Sequence, residues 1–271
     1  MFLCFCVVIM GNSTKIVSNV FILIMLSKIM GQVREIFIAH FYGTGAEATA
    51  FYAAMQIPLS FFDIVLGFAI VSAFVPVFNE CFQKNGKPEA DKFAGNFVTI
   101  FSFISLILTV LGIIFSYQIV GVMAYGLKDT PEVMNLTLKL LKIIFPSLIF
   151  TTLAYSFAGI LQSYGEFNVP ASMSLVSNCI TIFYFLIFRD NVTIIGVTVS
   201  MLMGWIMQFV ILLPKLRKFQ YKYTFKFDFK DKLMIKVYKL AGPVIFSSWA
   251  QPLNIMINLF LASLMLMKQQ L

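Results

Sequence analysis

The stretch IVSNVFILIMLSKIMGQVREIFIAHF, residues 16–41, decides the fold class. It exceeds the roughly 20 apolar residues that carry a helix across a bilayer. Yet it holds Lys28, Arg34 and Glu35, and the apolar run that continues toward Glu80 adds Asp63. Each ionised group at bilayer depth costs at least ~2.5 kcal/mol on insertion scales, so a chain keeps such groups mainly where they face a polar cavity. A cationic pair in the first long helix therefore points to a cavity for something anionic.

The rest of the chain has the same character. Of 271 residues, 60% are hydrophobic and 12% charged, and 31 are phenylalanine, a composition far outside the soluble range. Seven spans are expected, at 16–41, 51–78, 93–117, 134–161, 169–188, 192–213 and 240–267. With its backbone polar groups satisfied inside helices, the chain has no room for a soluble catalytic domain, and the expectation is all-α and not an enzyme. Cys4, Cys6, Cys81 and Cys179 lack ligand-like spacing, so neither a metal nor a cofactor is expected. Residues 1–10 are apolar but too short to span, and without a basic leader or small-residue cleavage site they make a poor signal peptide.

Orientation follows from the Lys and Arg residues of the connections. Lys84, Lys87 and Lys92 lie between spans two and three. Nine more, from Lys215 to Lys239, lie between spans six and seven, whereas the opposite connections offer only Lys128 and Arg189. The positive-inside rule then makes the even-numbered connections and the N-terminus cytoplasmic. The long connection alternates aromatic and polar residues through Phe219, Tyr221, Tyr223, Phe225, Phe227 and Phe229, a period of two that indicates an extended segment. A short amphipathic helix is expected over 231–239. Interleaved bases and aromatics also suit single-stranded nucleic acid. Directly beside a membrane, contact with anionic lipids of the cytoplasmic leaflet is the better reading, and no nucleic-acid partner is expected.

The domain organisation expected is an N-terminal stub at 1–13, a six-helix lobe at 14–213, a basic interfacial linker at 214–239 and one further helix at 240–271. Many transporters consist of two repeated helical halves. On that pattern the chain reads as a six-helix lobe plus the seventh helix of an incomplete second lobe, with the missing lobe as a partner.

Among the candidate site residues, Lys28 and Arg34 come first. Six residues at about 100° each leave them roughly 120° apart on a straight helix, and Gly31 between them permits a kink that would reorient them. An Arg fork suits phosphate, with Lys as a mobile point charge beside it. The spacing also fits a second arrangement, in which Arg34 pairs locally with Glu35 or Asp63 and Lys28 snorkels. Asp63 is either that counter-ion or a proton or cation relay. Lys139 and Lys142 share a face before Pro146, either snorkelling to the outer interface or, for Lys142, lining an outer anion path. His40, just before Gly43 and Gly45, reads as an interfacial residue ahead of a tight turn. Gln251, Asn254 and Asn258 form one polar stripe suited to interhelical hydrogen bonds.

The ordered set Ser27-Lys28-Ile29-Met30-Gly31-Gln32-Val33-Arg34-Glu35, Phe41-Tyr42-Gly43-Thr44-Gly45, Ser72-Ala73-Phe74-Val75-Pro76-Val77-Phe78-Asn79-Glu80, Leu141-Lys142-Ile143-Ile144-Phe145-Pro146, Gly159 through Asn178, and Ala241-Gly242-Pro243 resembles the MurJ (MviN) family of lipid II flippases. The resemblance runs from about Thr14 to Ser263. It implies two six-helix lobes around a cationic cavity that alternates between inward- and outward-open states, with the pyrophosphate of lipid II meeting Lys28 and Arg34 in a bacterial plasma membrane. The family's Arg-Arg pair in the second helix corresponds here to Phe62-Asp63, and a frequent acidic residue after the first helix falls at Thr49. Two other readings stand beside it: a cation-coupled drug or polysaccharide-lipid exporter of the same superfamily, and a non-transporting half protein.

Overall fold

The computed structural model describes residues 2–62 and 73–248, together with Asn254, Ile257, Asn258 and Leu261. The chain is an all-α polytopic membrane bundle. Its helices are α1 (Phe2–Tyr42), α2 (Ala46–Phe62), α3 (Val75–Asn85), α4 (Lys87–Ile114), α5 (Ser116–Met123), α6 (Pro131–Ile144), α7 (Ser147–Ser163), α8 (Asn168–Ile187), α9 (Ile194–Val210), α10 (Leu213–Lys218) and α11 (Lys232–Ser248). A 3₁₀ turn at Tyr125–Asp129 precedes α6. Among the described residues five stretches are long and apolar enough to cross a membrane: Thr14–Tyr42, Lys87–Ile114, Pro131–Ser163, Asn168–Ile187 and Ile194–Lys218. The other two expected spans, 51–78 and 240–267, run partly outside the described residues, as does Asp63.

Local chemistry explains the breaks. Gly43 takes a φ of +54°, which a glycine adopts without strain, and turns α1 into α2. Pro146 has no N–H to donate and separates α6 from α7 inside one span. Phe145 at that break is buried and presses against Gly112 of α4, where a Cβ would lie 2.2 Å from its ring. Thr109 Oγ1 donates to the Phe145 carbonyl at 3.4 Å.

α1 packs chiefly on α8, α8 on α9, α2 on α6, and α7 between α4 and α9. Gly204 lets α9 approach Ser177 of α8, since a Cβ there would fall 2.7 Å from the Ser177 hydroxyl. The apolar core near one end is aromatic: Phe74 meets Phe78, Phe93 and Phe97 at centroid separations of 5.6, 5.6 and 4.3 Å. Such tilted and offset pairs contribute beyond their buried area.

The connection after α10 is a strap laid along α4. Over 221–228 it has no regular structure, so its backbone needs partners from elsewhere. Buried Asn96 supplies two, donating from Nδ2 to the Asp228 carbonyl at 2.9 Å and accepting at Oδ1 from the Asp228 N–H at 2.8 Å. Lys87 donates to the Gln220 carbonyl at 2.8 Å, and Thr99 shares a 2.7 Å hydrogen bond with Tyr223. Gly95 leaves the space that the Thr224 carbonyl occupies; a Cβ there would be only 2.1 Å away. Thr224, Lys226 and Asp228 are half-buried, while Tyr223, Phe225, Phe227 and Phe229 are exposed, Phe225 at 77%. From Tyr223 to Phe229 the segment is thus two-faced with its aromatic face outward, whereas Phe219 and Tyr221 turn inward onto Tyr164 and Phe157. α11 begins at Lys232 and runs unbroken across 239/240, the position at which sequence composition changes from basic to apolar.

Ion pairs hold the helices that flank the strap and close its C-terminal end. Lys215 pairs with Glu166 at 2.6 Å, Lys226 with Asp231 at 2.5 Å, and Lys236 with Glu80, which also takes Lys84 at 2.9 Å. Hydrogen bonds from Lys236 and Lys84 hold the Glu80 carboxyl down at about 2. For Glu166, burial pushes the pKa up, but the Lys215 ammonium and the backbone N–H groups of Val169 and Asn168 outweigh it and the net shift is downward. Tyr164 lies beside this cluster and donates to buried Asp91; burial first, and then that carboxylate, raise its pKa.

Candidate functional site

A cavity of about 550 Å³ opens between α1, α2, α7, α8 and α9. α1 contributes Ile24, Ser27, Lys28, Gly31, Gln32, Arg34 and Glu35. These run along roughly 16 Å of helix at the usual rise per residue. α2 adds Met55 and Leu59, α7 adds Thr151 and Tyr155, α8 adds Ala171, Ser174, Ser177 and Asn178, and α9 adds Met201, Trp205 and Gln208. Among the described residues, every charge on this wall belongs to α1.

Lys28 and Arg34 therefore line one cavity although the helical period sets them on different faces; the space wraps around α1 instead of touching one side of it. Arg34 also takes the local arrangement. Its Nη2 donates to Glu35 Oε1 at 2.5 Å, and its Nη1 donates to Asn178 Oδ1 at 2.9 Å. Its Nε is buried with no partner among the described residues. Glu35 is held from its other oxygen by the Tyr52 hydroxyl at 2.8 Å, which ties α1 to α2. Lys28 is exposed to the cavity and has no carboxylate partner among the described residues. Arg34 and Glu35 offset each other, so the described charges leave a net positive site centred on Lys28. Among the described residues, an entering anion meets an ammonium without a carboxylate partner first and a guanidinium whose fork is only partly used.

Asn178 is the residue that organises this wall. It is 7% exposed. Its Nδ2 donates to the Ser27 carbonyl at 3.1 Å, so it clamps α8 onto α1 while aiming its oxygen at Arg34. α1 runs as one helix past Gly31, whose missing Cβ makes room for that amide at 3.3 Å. Sequence reasoning quoted Asn178 without giving it a role. The signal was present: Ser174, Ser177 and Asn178 recur at helical spacing in an otherwise apolar helix. Tyr52, Trp205 and Gln208 had no comparable signal.

The remaining candidates lie elsewhere. Lys142, in the last turn of α6, is exposed and does not line the cavity, and Lys139 is exposed on the same helix. His40 is exposed near the end of α1, edge-on to Phe41 at 5.2 Å. Asp63 lies outside the described residues. Among the described residues no group of His, Cys, Asp and Glu side chains is arranged to hold a metal ion.

Comparison with known proteins then fixes the family. The family model described as Lipid II flippase MurJ matches residues 38–269. The chain belongs to the MurJ family. A probable lipid II flippase MurJ from Buchnera aphidicola subsp. Acyrthosiphon pisum (strain APS) is 28% identical over 256 residues, covering 94% of this chain and 50% of that protein. Lipid II flippase MurJ from Thermosipho africanus (strain TCF52B) is 31% identical over 198 residues, covering 73% of this chain and 40% of the relative. The chain spans about half the length, or less, of these curated relatives. A solved MurJ in an inward closed conformation superposes with a TM-score of 0.71 at 24% identity, over 89% of this chain and 50% of that one. The Vibrio cholerae MATE transporter VcmN in its bent form shares the fold, with a TM-score of 0.66 at 15% identity over 92% of this chain and 57% of that one.

Proposed function

We propose that this chain supplies the cation-bearing lobe of a flippase that carries lipid II across a bacterial plasma membrane. Membership of the MurJ family supports the reading, and the observation that carries it is the meeting of Lys28 and Arg34 in one cavity. In this account the lipid-linked pyrophosphate docks on the Lys28 ammonium and takes the unused donors of Arg34 in competition with Glu35. The undecaprenyl chain stays in the bilayer beside α1. Alternating access then moves the headgroup across, and no covalent bond is made or broken. The N-terminus and the strap are cytoplasmic on this reading, with the strap lysines against anionic headgroups. A second helical lobe faces α1 and completes the cavity wall.

The test is growth of a bacterium depleted of its own lipid II flippase and supplied with the protein that contains this chain. Lys28→Ala and Arg34→Ala are each expected to abolish rescue while the protein still accumulates in the membrane. Undiminished rescue by both variants removes these residues from the pathway. The net positive charge of the described wall disfavours a cationic drug as cargo, since a like charge would meet Lys28, which has no carboxylate partner among the described residues.

A further inference from the structure

The cavity is chemically two-sided. Lys28, Arg34 and Glu35 all come from α1, whereas the facing wall from α7, α8 and α9 is uncharged and rich in hydroxyl and amide groups. On that wall Gln208 is 7% exposed, and its amide has no hydrogen-bond partner among the described residues. With no partner inside the protein, this cavity-lining amide keeps both donors and its acceptor available to whatever enters. Trp205 lies three residues earlier on α9 and lines the same space, also 7% exposed. Ser174 and Ser177 of α8 stand on the same wall.

From this juxtaposition we infer that Trp205 and Gln208 form a sugar subsite, which receives the glycan of the lipid-linked substrate while Lys28 and Arg34 receive its pyrophosphate. The chemistry matches the two faces of a pyranose. A flat apolar indole suits the C–H face of the ring, and a carboxamide supplies a donor and an acceptor to hydroxyl or N-acetyl groups. A site built to hydrogen-bond such groups discriminates strongly against a ligand that lacks them, because its own buried polar atoms are then left unpaired. The 550 Å³ of the cavity falls in the range of small-molecule sites. The peptide that lipid II also carries is a second source of amides and hydroxyls; the indole favours the sugar. The inference rests on the flippase reading above.

The experiment measures binding of three lipids to the detergent-purified protein that contains this chain by native mass spectrometry. The first is undecaprenyl pyrophosphate, the second carries a disaccharide without peptide, and the third carries the disaccharide with its peptide. Wild-type protein is expected to bind the second about tenfold more tightly than the first, the value of one or two well-made hydrogen bonds. Gln208→Leu and Trp205→Phe should each erase most of that gain while leaving affinity for undecaprenyl pyrophosphate unchanged, which also reports that the variants are folded. Arg34→Ala should weaken all three lipids. Equal losses for the sugar-free and sugar-bearing lipids in the Gln208 variant, or a gain that appears only with the peptide, would overturn the sugar subsite and leave the flippase reading standing. Failure of wild-type protein to bind any of the three would contradict the flippase reading, and the subsite with it.

Discussion

At the scale of single residues, the site depends on side chains that satisfy two partners at once. Asn178 holds the Ser27 carbonyl with one end of its amide and Arg34 with the other, from a position 7% exposed. Replacing it by leucine keeps the volume but leaves a half-buried guanidinium short of an acceptor. Asn178→Leu is expected to cost about 1–2 kcal/mol in an unfolding titration, in the upper range for hydrogen bonds between membrane helices. A loss below a few tenths would show that the clamp adds nothing. The charged half of the site was legible in the sequence, because Lys28, Arg34 and Glu35 stand out against an apolar helix. The neutral half was not. Polar residues such as Gln208 are common in membrane helices as packing groups, and nothing in their spacing says that α9 turns this one into a cavity.

At the scale of elements, the strap and α4 form a unit. Gly95 admits the Thr224 carbonyl, Asn96 serves the Asp228 backbone, and Thr99 meets Tyr223. The alternation of aromatics matches the exposure pattern from Tyr223 to Phe229, within an irregular stretch over 221–228, but not at Phe219 and Tyr221, which pack on the core. Sequence alone did not indicate that its polar side docks on the lobe, because the partners lie more than a hundred residues away. Gly95→Val places carbon where the Thr224 carbonyl sits. It is expected to release the strap, read as a marked rise in protease cleavage between 220 and 230 with the spans intact; unchanged cleavage would contradict the docking. The Glu80 clasp makes a pH prediction. Its folded pKa is lowered to about 2, from an ordinary value of 4.5. A lowered carboxylate stabilises the docked form above its ordinary pKa, and that contribution fades as pH falls from about 4.5 through about 2. Amide protection at the start of α11, taken as exchange relative to the intrinsic rate at each pH, should therefore stay high near neutrality and fall below about pH 4. In Glu80→Gln, exchange should already be faster at pH 7, with a weaker acid dependence. An acid profile identical to wild type would exclude Glu80 as the group that titrates.

At the scale of the whole molecule, the bundle is uneven. α1 is the least covered of the candidate spans, with 6% of its most apolar window buried, against 67% for the span made by α6 and α7. It packs mainly on α8, and Phe21, Ile22, Met25, Ile29 and Ile36 lie exposed along it. The helix that bears the cations is thus also the one with most surface left for lipid or a facing lobe, as expected of an element that meets a lipid-linked substrate from the bilayer. The connections at 79–92, 162–168 and 214–239 gather at one end of the molecule, where Lys215 meets Glu166 and Lys236 meets Glu80. The lysines of 79–92 and 214–239 made the grouping of those two readable from the sequence; 162–168 has none and followed from the order of the spans. The two-halves reading came from the helix count on either side of the long basic connection, whereas the proposed lipid II cargo was not readable from periodicity or charge and came through family likeness.

The central claim is that Lys28 and Arg34 together receive a lipid-linked pyrophosphate. The direct measurement is the affinity of lipid II for the purified protein, wild type against Lys28→Ala, Arg34→Ala and the double variant, at fixed ionic strength. Each charge-assisted contact is worth roughly 1.5–3 kcal/mol, so each single variant should bind at least about tenfold more weakly and the double variant about a hundredfold or more. Wild-type affinity in the double variant would contradict the account.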